Sequence, residues 1–368
     1  MSEILFEPCR IGNLELRNRF IRSATWDATA DESGAVTDTS VGIYKRLGEG
    51  GIGLIVSGYA FVSPHGQAVH GQYGVHNNGM ITGLSRLAQA VHEGGGKIAL
   101  QIVHAGINSG YLSQKGITVL AVSEMSEVKR PHRQMTDEDI EGIIDDFAAA
   151  AVRGREAGFD AIQLHGAHGY LMSQFSSPLY NHRTDRWGGS PENRRRFHTE
   201  VVRRVRQVIG SDFPLFIKFG VMDDREGGLT VGEGIEAAWQ MVAAGVDAIE
   251  VSGGVGQAAY HTGENGLVIP PFRERASAVK RAVNVPVILV AGIRSLETAR
   301  DIVESGDADM VSMCRPFIRE PYLVARWQRG ETAPALCITC NRCMAIVRRG
   351  EPLECGEDRR LREEAAAS

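Results

Sequence analysis

Residues 163–171, QLHGAHGYL, place two histidines three positions apart and a tyrosine two positions later, directly after an apolar run. If that run is a strand, His165 stands at its carboxyl end, and the glycines of GAHG let the chain fold His168 back beside it. Two fixed imidazole N–H groups can then converge on one oxygen. They would stabilise the negative charge that develops on a carbonyl when a nucleophile or hydride adds to the conjugated carbon, and Tyr170 could deliver a proton. A lone histidine in such a place would read as a structural group, whereas three polar rings at one strand end argue for a site. Metal binding is the rival reading, since neutral imidazoles at this spacing suit zinc. No acidic or cysteine ligand adjoins them, however, and two protein ligands make a weak site.

Other stretches carry chemistry of their own. VAGIRSLETA and MCRPFIREP combine a close-approach glycine, Gly292, with Arg294, Arg315 and a candidate N-cap, Ser295. Backbone amides and a helix N-terminus at such turns hold a phosphate; the plainer alternative is a turn glycine with solvated arginines. GGVGQA touches the dinucleotide fingerprint through Gly254, Gly256 and Ala259, but YHTGENGLVIPP follows where that fingerprint must open a helix, so it is rejected. ENRRRF with Arg203, Arg204 and Arg206 reads as a solvated basic helix face. Four of six cysteines, Cys337, Cys340, Cys343 and Cys355, have the spacing C-x2-C-x2-C-x11-C. Thiolates at these intervals can wrap one tetrahedral or cubane centre, bind zinc, or hold nothing.

These residues must be positioned by something. Eight β-rich runs (FIRSA, GLIVSG, KIALQIVH, DAIQLHG, PLFIKFG, DAIEVSG, PVILVAG, DMVSMC) recur with helical segments between them. Each is apolar on both parities, as in parallel strands covered on both faces. Amphipathic segments such as DEDIEGIIDDFAAAAVRGREAG return the chain to the next strand. EGGIGLIVSG, EAGFDAIQLHG, AAGVDAIEVSG and ESGDADMVSMC repeat one phrase, a glycine closing a helix before a strand. Eight such units predict a single (β/α)8 TIM barrel of the α/β class, residues 1–330, with an open doubly wound sheet as the alternative. Residues 331–368 form a cysteine-containing appendage whose polar last dozen residues are expected to be mobile. Net charge is −5 over 368 residues with both signs interspersed, which excludes a chain built around nucleic acid. No stretch is long and apolar enough to span a membrane, and the N-terminus lacks a signal-peptide pattern, so a cytoplasmic protein with a small-molecule partner is expected.

LRNRFIRSAT, ALQIVHAG, HGAHGYLMSQFSSPLYNHRTDRWGGSPENRRRF, VAGIRS and CRPFIREP, covering nearly everything to about residue 325, resemble the old yellow enzyme family of FMN-dependent barrel oxidoreductases. The resemblance implies Ser23, Ala24, Thr25 and Trp26 beside the flavin, with Gly58 and Gln101 at its ring edge. It implies Lys218 against the N1 and C2 carbonyl side, where a cation favours the anionic reduced ring. Gly292, Arg294, Cys314 and Arg315 would hold the phosphate. His165 and His168 would grip the substrate's activating oxygen while Tyr170 protonates the alkene carbon opposite the hydride. The implied reaction takes hydride from NADH or NADPH through FMN to the β-carbon of an activated alkene.

Two departures stand out: Trp26 sits where well-known members carry a small Thr or Cys that hydrogen-bonds the flavin, and the SGYAF loop is bulkier. An indole cannot replace that contact, but it can narrow the site or stack on substrate. The cysteines, with Asn341, are similar to the iron–sulfur ligands of the branch that includes 2,4-dienoyl-CoA reductase and trimethylamine dehydrogenase, which implies a [4Fe–4S] cluster. Those proteins continue into a second nucleotide-binding half, and this sequence ends thirteen residues after Cys355. A cluster would then exchange electrons with a partner protein or serve as a structural clamp. The resemblance also implies a homo-oligomer. Two other functions compete. One is amine dehydrogenation or demethylation through the cluster, with Trp26 and Tyr59 contributing to an aromatic cage. The other is a flavin redox sensor or electron carrier, which would have no use for the proton donor of the His-His-Tyr set.

Overall fold

A computed structural model describes residues 3–256, 261–262 and 268–367. All eight expected strands form: β1 (Phe20–Arg22), β2 (Leu54–Val56), β3 (Ile98–Val103), β4 (Ala161–Gly166), β5 (Leu215–Gly220), β6 (Ala248–Ser252), β7 (Val287–Val290) and β8 (Met310–Met313). They pair in parallel in chain order. β8 pairs with β1 and β2 with β3, which closes the sheet on itself as a (β/α)8 barrel. The outer ring is α1 (Asp38–Glu49), α2 (Ile81–Glu93), α3 (Asp137–Glu156), α4 (Pro191–Ile209), α5 (Val231–Ala243), α6 (Arg273–Ala282), α7 (Leu296–Glu304) and α8 (Leu323–Gln328). Three of these begin with a capping box, on Thr37, Thr136 and Thr230, which satisfies amides that a helix start leaves orphaned. The glycine of the repeated phrase ends α3 at Gly158, where φ is 85°, a conformation that costs other residues about 1 kcal/mol. None of the described helices is long and apolar enough to cross a membrane.

Side chains alternate across a strand, so every second residue of each strand enters the barrel. Ile21, Leu54, Val56, Ala99, Ala161, Phe216, Ala248, Ile288 and Met310 make an apolar floor, closed from below by Ile11 and Leu16 of an N-terminal hairpin (Cys9–Ile11, Leu14–Leu16). Two residues further along the same faces the lining turns polar, with Ser23, Gln101, Gln163, Lys218, Glu250 and Ser312, all buried. A separate, larger apolar layer fills the space between strands and helices.

Three sequence expectations need correction or a boundary. The polar C-terminus is ordered: α9 (Arg342–Arg348) is followed by α10 (Gly356–Ala367). GEDRRLREEAAA consists mostly of strong helix formers, and Arg360 pairs with Glu357 and Glu364 along one face while Arg319 reaches Asp358 from the barrel. The arginines of α4 are not merely solvated. Arg206 donates to the carbonyls of Gly245 and Phe213, both at 2.6 Å, and pairs with Asp247, tying the loop before β5 to the one before β6. Arg203 pairs with Glu200, and Arg204 with Asp145. After β6, His261–Thr262 pairs antiparallel with Val268–Ile269, so a hairpin stands where a dinucleotide fingerprint would need a helix; Ala259 lies outside the described residues.

Candidate active site at the carboxyl ends of the strands

A cavity of about 1010 Å3 opens at the carboxyl ends of the strands. It is lined by all three expected catalytic residues, His165, His168 and Tyr170. Ser23, Ala24, Thr25, Trp26, Gln101, Lys218, Gly292, Arg294, Cys314 and Arg315 of the expected cofactor set line it as well. Gly58 does not. Its amide donates to the Tyr44 hydroxyl at 2.6 Å, and a side chain there would meet the Thr25 carbonyl and the Tyr73 ring, which places it behind the cavity wall rather than at it.

His165 ends β4, and the turn after it puts His168 at φ 61°, where the backbone N–H of His168 donates to the Gly253 carbonyl. The two imidazoles stand 5.1 Å apart and nearly perpendicular. The Ala167 amide donates to Nδ1 of His165 at 3.3 Å, which leaves the proton of that ring on Nε2. Ser252 Oγ lies 2.8 Å from Nε2 of His168, a contact in which either the hydroxyl or the ring N–H can donate. Burial, with help from His168 and Lys218, holds the pKa of His165 well below the ordinary imidazole value. His168 is open to the cavity, yet enclosure by the surrounding protein, followed by Lys218, lowers its pKa too. Both rings are therefore neutral hydrogen-bond donors at neutral pH. Tyr170 packs edge-on against His165, with centroids 5.1 Å apart. Burial raises its pKa, so it keeps its proton, and its hydroxyl donates to that of Tyr59 at 3.3 Å.

The cavity floor is the polar layer of the barrel. Lys218 Nζ donates to Ser23 Oγ at 2.6 Å and lies 3.5 Å from the Glu250 carboxylate. Sequence reasoning missed Glu250, Gln163, Ser252 and Ser312; the one visible signal was a charge inside the otherwise apolar run DAIEVSG. The Trp26 indole N–H donates to the His70 carbonyl at 3.0 Å, so it is committed to the protein and cannot make the contact of a smaller hydroxyl or thiol at that position. Thr25 Oγ1 sits 3.0 Å from Cys314 Sγ. At the outer wall, Gly292 has φ 78° and a side chain would meet Pro270 at 2.8 Å, so only glycine fits. Ser295 caps α7 as expected. Arg294 keeps a buried Nε without a partner, and Arg315 donates to the Asn341 side chain at 2.7 Å.

The cysteine segment is a wall of the same cavity. The Ala335 and Arg294 backbones bond each other, the Leu353 amide donates to the Asp27 carbonyl, and Asn341, Cys343, Met344, Val347, Arg348 and Leu353 all face the large cavity. The four thiols line an adjoining space of about 20 Å3, which shares Arg315, Ile318, Asn341 and Cys343 with the large one. Burial raises the Cys343 thiol pKa to about 11. Among the described residues, no group of three or more His, Cys, Asp or Glu side chains is arranged to hold a metal ion.

The donor set suits a flavin mononucleotide. Gln101 Oε1 is buried without a partner at the floor, the Lys218 ammonium lies in the same polar layer, and an unsatisfied guanidinium Nε and a glycine-only turn lie at the wall. Residues 4–333 match the model of the NADH:flavin oxidoreductase / NADH oxidase family. The chain belongs to that family. The resemblance to FMN-dependent barrel oxidoreductases expected from the sequence is thereby met at the level of family. The chain is 37% identical over 346 residues to a NADH oxidase of Thermoanaerobacter brockii, across 92% of this chain and 52% of that protein. A solved 2-naphthoyl-CoA reductase complex with 2-naphthoyl-CoA superposes with a TM-score of 0.89 at 30% identity, over 96% of this chain and 57% of the other. An old yellow enzyme homologue from Zymomonas mobilis gives 0.78 at 25% identity, over 92% and 95%. The chain thus spans about half the length of the first two proteins and nearly all of the third.

Proposed function

We propose that this family member reduces alkenes conjugated to an electron-withdrawing group, using NAD(P)H. The observation that carries this reading is the pair of neutral imidazoles standing 5.1 Å apart above the polar floor. FMN bound in the cavity would supply the hydride, held by Lys218 and Gln101 at its ring edge and by Gly292, Arg294 and Arg315 around its phosphate. The rest belongs to this chain. His165 and His168 bind the carbonyl oxygen and stabilise the enolate charge as the β-carbon is reduced. Tyr170, kept protonated by burial, gives its proton to the neighbouring carbon. No carboxylate lines the cavity among the described residues, while Lys218, Arg294, Arg315 and Arg348 do, which opposes a cationic amine as substrate despite the nearby Trp26 and Tyr59 rings.

Replacing both His165 and His168 with Ala should abolish phenol binding and lower enone turnover by about 10²- to 10³-fold. Unchanged turnover would overturn the assignment. The four cysteines we assign to a [4Fe–4S] cluster, supported by their spacing in the sequence and their convergence on one space next to the cavity. Iron and labile sulfide in anaerobically purified protein test that assignment, and their absence would remove it.

A further inference from the structure

The polar floor of the barrel has a direction. Glu250 lies wholly buried on β6, opposite Lys218 in register. Its Oε1 accepts from Ser23 Oγ and Ser312 Oγ, both at 2.8 Å, and its Oε2 accepts from Gln163 Nε2 at 2.7 Å. Gln163 Oε1 in turn accepts from Gln101 Nε2 at 2.6 Å, which leaves Gln101 Oε1 buried and without a partner. An amide can present either end, but a carboxylate only accepts. The carboxylate therefore dictates that Gln163 turns its NH2 towards Glu250 and its oxygen towards Gln101. Gln101 must then turn its own NH2 inwards, so its oxygen is the atom left over beside the cavity.

We propose that Glu250 is a positioning residue for the cofactor. Through Gln163 it fixes the polarity of Gln101, so that the lining offers an acceptor at Gln101 and a donor at Lys218. This pattern is complementary to the pyrimidine-dione edge of a flavin, in which an N–H donor adjoins carbonyl and ring-nitrogen acceptors. The inference rests on the FMN reading above. An amide in place of the Glu250 carboxylate could donate. The relay could then run backwards, from that amide to Gln163 and from Gln163 to Gln101, so that an NH2 faces the N–H of the ring.

The test compares FMN with 3-methyl-FMN, which lacks that N–H, by fluorescence titration of the full-length apoprotein. The wild type is expected to prefer FMN by about tenfold or more, the worth of one buried hydrogen bond. In Glu250→Gln the preference should fall at least threefold. Gln163→Met cuts the relay while leaving the pairing of Lys218 with Glu250 intact, so it should show the same loss and serves if the first variant does not fold. A uniform weakening of both flavins in both variants leaves the ratio unchanged and counts against the proposal, because the ratio is what orientation controls. A ratio unchanged in both variants, or a wild type without preference, overturns the proposal. A wild type that binds neither flavin overturns the FMN reading itself, and this inference with it.

Discussion

Tyr170 and the two histidines separate the two halves of the proposed reaction. The histidines act on any ligand that offers an oxygen, whereas the phenol is needed only when an alkene carbon must gain a proton. Tyr170 is half-buried, its pKa is raised, and its hydroxyl bonds that of Tyr59 rather than a carboxylate that could take the proton away. Tyr170→Phe should therefore slow alkene reduction by about 10²- to 10⁴-fold while leaving reduction of the flavin by NAD(P)H unchanged. Stopped-flow measurement of each half-reaction distinguishes the steps, and an equal loss in both would assign Tyr170 to packing instead. The imidazoles make a second prediction at this scale. With both pKa values lowered, neither ring changes charge between about pH 8 and about pH 5.5, so kcat/KM for the alkene should show no inflection near the ordinary histidine value of about 6.5. An inflection there that disappears in His168→Ala would contradict the neutral-donor arrangement.

At the level of elements, the strands of the barrel were legible because each is covered on both faces and so reads as a short apolar run. The same property hid the floor of the site. In a strand apolar on both parities, nothing in the pattern says which parity enters the barrel, so Gln163 could not be told from a residue under a helix. Glu250 stood out only as a charge in the wrong place. His165, His168 and Tyr170 were legible because they follow a strand end, where types and spacing are free of packing demands. Gly58 was misplaced for the opposite reason: a glycine carries no side chain to declare which side of the wall it is on. The C-terminal segment was read as polar and mobile, yet its helix formers build α10, and Gly356 and Glu357 at the start of α10 border the cysteine space, where Glu357 pairs with Arg342. A chain ending at Cys355 keeps every thiol but loses that border. It should retain its flavin and lose most of its iron, measured as metal per flavin in the purified protein. Full iron retention would show that α10 does not enclose the cluster.

At the scale of the whole molecule, buried imidazoles tie stability to pH. His104, His165 and His198 are fully buried, and desolvation lowers their pKa, to about 3 for His104 and His198. The unfolded chain takes up these protons near pH 6.5, while the folded chain resists them until far lower pH. The unfolded state thus binds more protons in that window, and stability is lost as pH falls. Each such histidine costs up to about 1.4 kcal/mol per pH unit below its unfolded value. Asp27, whose pKa is raised by burial, works in the opposite sense from the ordinary carboxylate range upward, but three histidines outweigh this one carboxyl between about pH 6.5 and pH 5. His198 is the one to remove. It packs edge-on against Phe219, has no hydrogen bond at either ring nitrogen, and lies outside the cavity lining. His198→Leu should therefore raise stability by about 1 kcal/mol at pH 7, because an unsatisfied buried polar group is replaced by an apolar one. It should raise it by more at pH 5, giving a shallower fall of Tm with acidification. Denaturant titrations at the two pH values decide the matter, and parallel curves for the two proteins would mean that His198 does not resist protonation in the folded state.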